Sequence, residues 1–175
     1  CSSDLKNIIR MIEREAKAAG VDPDFAIAIA NLESSFSHVP ANDPNSTSYG
    51  PFQVNKSTAL ANGVDYDEMK KNPDLAVRTG IMNIARHAKN PALEGDPLRI
   101  LAAHRYGENS EYARTGDESK IDKTLAGYMS KFLEHFPDEE YAGTVYKSQD
   151  EKDNRQESGE RSSSHQNKEI GRAHV

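Results

Sequence analysis

The sequence predicts a mainly α-helical domain followed by a disordered polar tail, and three observations carry that prediction. Apolar residues recur at helical spacing in several separate stretches, Asp-Pro or Asn-Pro pairs head three of those stretches, and large apolar residues become sparse beyond Pro137. Spacings of three and four put apolar side chains on one helical face. An Asp or Asn ahead of proline can cap the first turn, where proline has no needed amide hydrogen to lose.

Taken in order, Ile8, Ile9, Met11, Ile12, Ala16 and Ala19 form the first stripe, which Gly20 stops. Asp22-Pro23 opens a second helix whose run from Phe25 to Leu32 is nearly all apolar, as a central, buried helix requires. Val39 to Tyr49, rich in Pro, Asn and Ser, reads as a loop, with short extended or irregular structure around Phe52 to Val54. Ser57 to Ala61 reads as a short helix ended near Gly63. Asn72-Pro73-Asp74 opens the next, with Leu75, Ile81, Ile84 and Ala85 inward, and Asp96-Pro97 precedes Leu98, Leu101 and Ala102. The last helix, roughly Ile121 to Phe136, carries Leu125, Tyr128, Met129, Phe132 and Leu133.

The 175 residues fit one domain with an appendage, and 35% hydrophobic and 29% charged residues fit a soluble globular chain. A net charge of -6 argues against a nucleic-acid partner and supplies no polybasic membrane anchor. No apolar run approaches the roughly 18 residues that span a bilayer, so no membrane insertion is expected of this segment. Asp138 to Lys168 holds few large apolar residues, among them Tyr141, Val145 and Tyr146. Such a stretch cannot offset its ordering entropy and reads as a linker toward a downstream region. Cys1 is the only cysteine, which excludes an internal disulfide. Cys1 to Leu5 and the stretch from Glu169 through Ala173 can be encoded by one DNA segment and its reverse complement, that of a short-read sequencing adapter, which His174-Val175 continues. Residues 1–5 and 169–175 are therefore set aside as adapter-derived, and the domain is drawn over 6–137 with the linker at 138–168.

Chemistry first shows at the end of the second helix, in Asn31-Leu32-Glu33-Ser34-Ser35-Phe36. A carboxyl in apolar surroundings resists ionisation, as a proton donor near neutral pH must. Alone, a Glu at a helix end is most often a solvated surface residue. Three further segments change its standing: Gly50-Pro51-Phe52-Gln53-Val54, then Ala102-Ala103-His104-Arg105-Tyr106-Gly107, and finally Tyr128-Met129-Ser130-Lys131-Phe132. In that order and spacing, across about Ile8 to Pro137, they resemble the soluble lytic transglycosylase family. Its marks are Glu-Ser two residues before an aromatic, then Gly-Leu-Met-Gln-Ile, then Ala-Tyr-Asn-Ala-Gly, then a late Tyr.

The resemblance implies a lysozyme-like α+β domain with a small or vestigial β-hairpin near Ser48 to Val54. It implies a glycan groove between the helix bearing Glu33 and the segments around Gln53 and Tyr106. Glu33 matches the family's single catalytic acid and base, Ser34 the neighbouring serine that orients substrate or carboxyl, Gln53 the groove glutamine, and Tyr128 the late tyrosine beside the acid. Tyr106 and Gly107 close the third motif, and Ser48, Tyr106 and His104 are taken as further substrate-side candidates. The sequence departs from the pattern at Pro51-Phe52, which replaces Leu-Met, and at His104-Arg105, which replaces Tyr-Asn and removes an Asn near the cleavage site. A lone His such as His104 is more often a hydrogen-bonded structural residue than a reacting one.

The reaction implied is cleavage of the bond between N-acetylmuramic acid and N-acetylglucosamine in peptidoglycan, without water and with closure of a 1,6-anhydro ring. It needs no cofactor, and His38, His87 and His135 form no ligand spacing with an acid cluster, so no catalytic metal is expected. A monomer acting on glycan strands is expected, at the bacterial cell envelope or in a phage particle. Two other readings stand beside it. Goose-type lysozyme hydrolysis would need a base such as Asp43, which ahead of Pro44 is more often a turn residue. A non-catalytic glycan-binding module of a phage or secretion assembly would have no use for an intact Glu33.

Overall fold

Helix ends in this chain are set by side-chain caps and left-handed residues, and they fall close to where those residues stand in the sequence. The structure, a computed structural model, describes residues 2–136. Eight α-helices lie among the described residues: α1 (Ser2–Ala19), α2 (Pro23–Ser34), α3 (Lys56–Ala61), α4 (Tyr66–Lys71), α5 (Pro73–Lys89), α6 (Pro97–Tyr106), α7 (Glu111–Thr115) and α8 (Lys123–His135). Asp22, Asn72 and Asp96 each accept a backbone N–H two or three residues on, ahead of prolines at 23, 73 and 97. Asn55, Asp65 and Asp122 do the same for α3, α4 and α8. Each such cap contributes about 1 kcal/mol. The linker over 138–168, the end at 169–175 and Pro137 lie outside the described residues.

The nearly all-apolar α2 is central. It packs on α1 and α8, while α5 packs on α1, α4 and α6. Ile12, Ile29, Ile81, Ile84, Leu101, Met129 and Phe132 are fully buried between them. Phe25 meets Phe132 and Phe136 edge-on, at 5.6 and 5.8 Å between ring centroids. Among the described residues, extended backbone is reduced to isolated antiparallel bridges, Pro40 with Tyr49 and Tyr49 with Val54, so the hairpin is vestigial. Tyr49 and Val54 exchange both backbone hydrogen bonds around the turn Gly50–Gln53.

That turn is pinned from below by a close approach. Phe52 is fully buried, and a Cβ added to Gly80, in the middle of α5, would stand 2.4 Å from the Phe52 ring. Glycine at position 80 is thus what lets the ring lie on the helix. At the opposite end Arg99, 5% exposed, donates to the carbonyls of Ala92, Ala113 and Arg114 and stands 3.6 Å from Glu94. It clamps the short α7 to α6 and to the 3-10 turn Pro91–Leu93.

The inner face of α5 also carries Thr79, Asn83 and His87, a buried polar stripe at i, i+4 and i+8. Burial, then His104 and Arg86, lower the His87 pKa to about 4, and Glu108, 3.8 Å away, only partly opposes them. His87 is therefore neutral at pH 7 and makes no ion pair there. The unfolded chain, with a His pKa near 6.5, binds the proton first, so this contribution to stability is complete above pH 6.5 and is lost as pH falls toward 4. Calorimetry from pH 7 to pH 4 should show Tm falling across that window. A flat Tm would contradict a buried, neutral His87.

Candidate active site

Glu33 occupies the last turn of α2. The helix ends there because Ser35 turns left-handed (φ 50°) and returns its N–H to the carbonyls of Ala30 and Asn31. Phe36 (φ 64°) and, across the cleft floor, Gln53 (φ 49°) are also left-handed. For residues with a Cβ this region is sparsely populated, so strain is gathered around Glu33. The Glu33 side chain is only 3% exposed. The Tyr128 hydroxyl, from α8, donates to its Oε1, and Arg105 Nη1, from the end of α6, stands 3.4 Å from its Oε2.

Tyr128 is held in its protonated form. Burial foremost, then the Glu33 charge and their hydrogen bond, raise its pKa well above 10, so it serves as a donor throughout the physiological range. Burial works against the Arg105 charge, but Glu33, Tyr128 and Tyr106 outweigh it and raise its pKa. The guanidinium also lies 5.4 Å from the Tyr128 ring centre, and the Tyr106 ring meets that of Tyr128 edge-on at 6.4 Å.

Two polar clips hold the turn Gly50–Gln53 against this carboxyl. Ser34 Oγ donates to Pro51 O at 2.8 Å and accepts from Ser37 N at 3.1 Å, so the hydroxyl expected on the substrate side is spent on backbone. The second clip is a directed chain. Arg86 donates to Asn83 Oδ1, Asn83 donates to His104 Nδ1 at 3.3 Å, and His104 Nε2 donates to Phe52 O at 3.0 Å. Burial lowers the pKa of His104, which suits the neutral ring that accepts at one nitrogen and donates at the other. His104 thus stands as a prop under the turn. Gln53 spends its amide hydrogens on Val39 O and Gly50 O, at 3.1 and 3.0 Å, which leaves its side-chain oxygen for another donor.

A cleft of about 850 Å³ opens over Glu33. One wall is the polar loop with Asn42, Asp43, Ser48 and Gln53. The other is Arg105, Tyr106 and the face of α8 through Lys123, Gly127, Tyr128 and Lys131. Polar groups with the exposed ring of Tyr106 beside the half-buried Tyr128 suit a hydroxyl-rich, ring-shaped ligand. A recess of about 40 Å³ brings Glu33, Ser48, Gln53, Asn83 and His104 together. Of the residues singled out in the sequence, Glu33, Ser48, Gln53, Tyr106 and Tyr128 therefore share one cleft, His104 lies beneath it, and Ser34 lines a side branch beside Glu33. Asp43 shares the cleft as well, but its Oδ1 caps a turn by accepting Asn45 N at 2.9 Å.

Sequence reasoning missed four contributors: Asn83, Lys123, Lys131 and the pairing of Arg105 with Glu33. Asn83 had a signal, since a polar residue four after Thr79 and four before His87 falls on the same helical face as Ala76 and Gly80. Arg105 was legible only as a departure from Asn. Gly127 is unusual too. A Cβ built on it meets nothing within 4 Å, so no packing in the protein asks for glycine there. Mid-helix glycine costs about 1 kcal/mol relative to alanine. Among the described residues no group of three or more His, Cys, Asp or Glu is arranged to hold a metal, and no helix is long and apolar enough to cross a membrane.

Residues 10–125 match the family described as Transglycosylase SLT domain. A comparison with curated proteins gives no match.

Proposed function

The chain belongs to the transglycosylase SLT domain family, whose members act on peptidoglycan, and on that premise we propose that it is a lytic transglycosylase with Glu33 as its one acid and base. The observation that carries the proposal is a nearly buried carboxyl at the floor of a sugar-sized cleft, with a donor on each of its oxygens. In the first step Glu33 protonates the glycosidic oxygen between N-acetylmuramic acid and N-acetylglucosamine, and that C–O bond breaks. The acetamido group of the muramic residue stabilises the positive charge at the anomeric carbon. The Glu33 carboxylate then takes the proton of the C6 hydroxyl as that oxygen bonds to the anomeric carbon, closing the 1,6-anhydro ring and restoring the acid. Water adds to nothing, so a second carboxylate is not required, in contrast to most glycosidases.

Tyr128 supports both steps from one position. Its neutral hydroxyl stabilises the carboxylate between the two proton transfers, when Glu33 is charged. Tyr128→Phe is expected to lower turnover about tenfold to a hundredfold, the worth of one hydrogen bond to a buried charge, with little change in Tm. Initial rates of muropeptide release, with Tm measured in parallel, test this. A variant with full activity would remove Tyr128 from the mechanism.

The reaction class itself is tested by digesting purified peptidoglycan and weighing the released muropeptides. Anhydro-muramic products are expected. Reducing-end products, one water heavier, would overturn the lyase reading and point to Asp43 as a base. The substrate places the site of action at the cell envelope.

A further inference from the structure

Five residues of α8 line the cleft, Lys123, Thr124, Gly127, Tyr128 and Lys131, and of these Lys123, Gly127 and Lys131 form one row at i, i+4 and i+8. The lysines stand about 12 Å apart along the axis. Both are exposed, and neither has an ion-pair partner among the described residues. Between the two lysines that row is bare, with Thr124 and Tyr128 beside it, because Gly127 offers no side chain and a Cβ there would meet no neighbour. The charge of the cleft also runs against that of the chain. Its lining carries Arg105, Lys123 and Lys131 against Glu33 and Asp43, in a chain of net charge -6.

A bare helical strip flanked by two unpaired cations is built for a ligand that lies close to the backbone and presents negative charge on either side. The sugars of the glycan are uncharged, since the lactyl group of the muramic acid is joined to the stem peptide. That peptide carries the free carboxylates. We infer that Lys123, Gly127 and Lys131 form a subsite for the stem peptide, and that the protein selects peptide-bearing strands over denuded glycan. The inference rests on the glycan reading of the cleft. The peptide lies across Gly127, its carboxylates pair with the two ammonium groups, and the strand is thereby held in register over Glu33.

Binding separates this inference from the chemistry. The full chain carrying Glu33→Gln is titrated with soluble, uncross-linked glycan strands freed of teichoic acid, either with intact stem peptides or stripped of them by an amidase and then capped as methyl amides at the lactyl carboxylates that the amidase exposes, so that stem carboxylates are the only anions compared. Tighter binding to the intact form is expected, weakened by salt. Lys123→Gln and Lys131→Gln should each lower affinity for the intact form up to about fivefold and leave the stripped form unchanged. Gly127→Ala supplies the control for folding: it should raise Tm, because alanine favours the helix, and yet weaken binding to the intact form. Equal affinity for the two forms, or a Gly127→Ala chain that binds as tightly as its parent, overturns the subsite alone. Binding to neither form overturns it together with the glycan reading.

Discussion

Glu33→Gln is expected to lower release of anhydro-muropeptides by about a hundredfold to ten-thousandfold, the usual contribution of a positioned general acid or base. Glutamine keeps the shape of the side chain and can still accept the Tyr128 hydroxyl, but it has no proton to give and no charge with which to take one back. The amide also turns a donor toward Arg105 in place of the carboxylate oxygen now 3.4 Å away. The guanidinium, 47% exposed, has room to relax toward the cleft. The fold should therefore persist, and sedimentation with murein should show binding retained while product formation disappears. Residual activity near that of the parent would mean that another group moves the proton.

Among the described glycines, Gly80→Ala should produce the largest loss of stability. The new Cβ would stand 2.4 to 2.5 Å from Cβ, Cγ and Cδ2 of Phe52, whose ring is fully buried and has no free end to bend away. Overpacking of this kind costs about 1–3 kcal/mol and so lowers Tm by about 10 °C. The damage would reach the cleft, because the backbone that must move carries the carbonyls of Pro51 and Phe52, which hold Ser34 and His104. Thermal unfolding and murein digestion of the same sample test both halves. An alanine variant with unchanged Tm would contradict the contact of Phe52 with α5.

The long helices were legible because their causes are local. Asp22-Pro23, Asn72-Pro73 and Asp96-Pro97 announce their own caps, and the stripes of α1, α2 and α8 repeat over several turns. The short α4 and α7 were not, since six and five residues hold too little periodicity. Within α4 only Met69 is buried, and the helix is tied down by Tyr66 donating to Thr47 O, 19 residues away. Position 99 likewise reads as a solvated arginine until α7 and the 3-10 turn present it with three carbonyls. Glu33, Gln53 and Tyr128 were legible through the order and spacing of four motifs. Their actual partners could not, because the contact of Tyr128 with Glu33 spans 95 residues and that of His104 with Phe52 spans 52. The exchange of Tyr-Asn for His104-Arg105 reads in the structure as a division of labour, with His104 supporting the turn and Arg105 facing the carboxyl.

Glycine adopts left-handed backbone angles at little cost, whereas Ser35, Phe36 and Gln53 adopt them against their own preference. Glycine at 53 would relax the backbone angle but lose the amide that ties Val39 and Gly50 together beside Glu33, so the strained residue is kept in place by the bonds its own side chain makes.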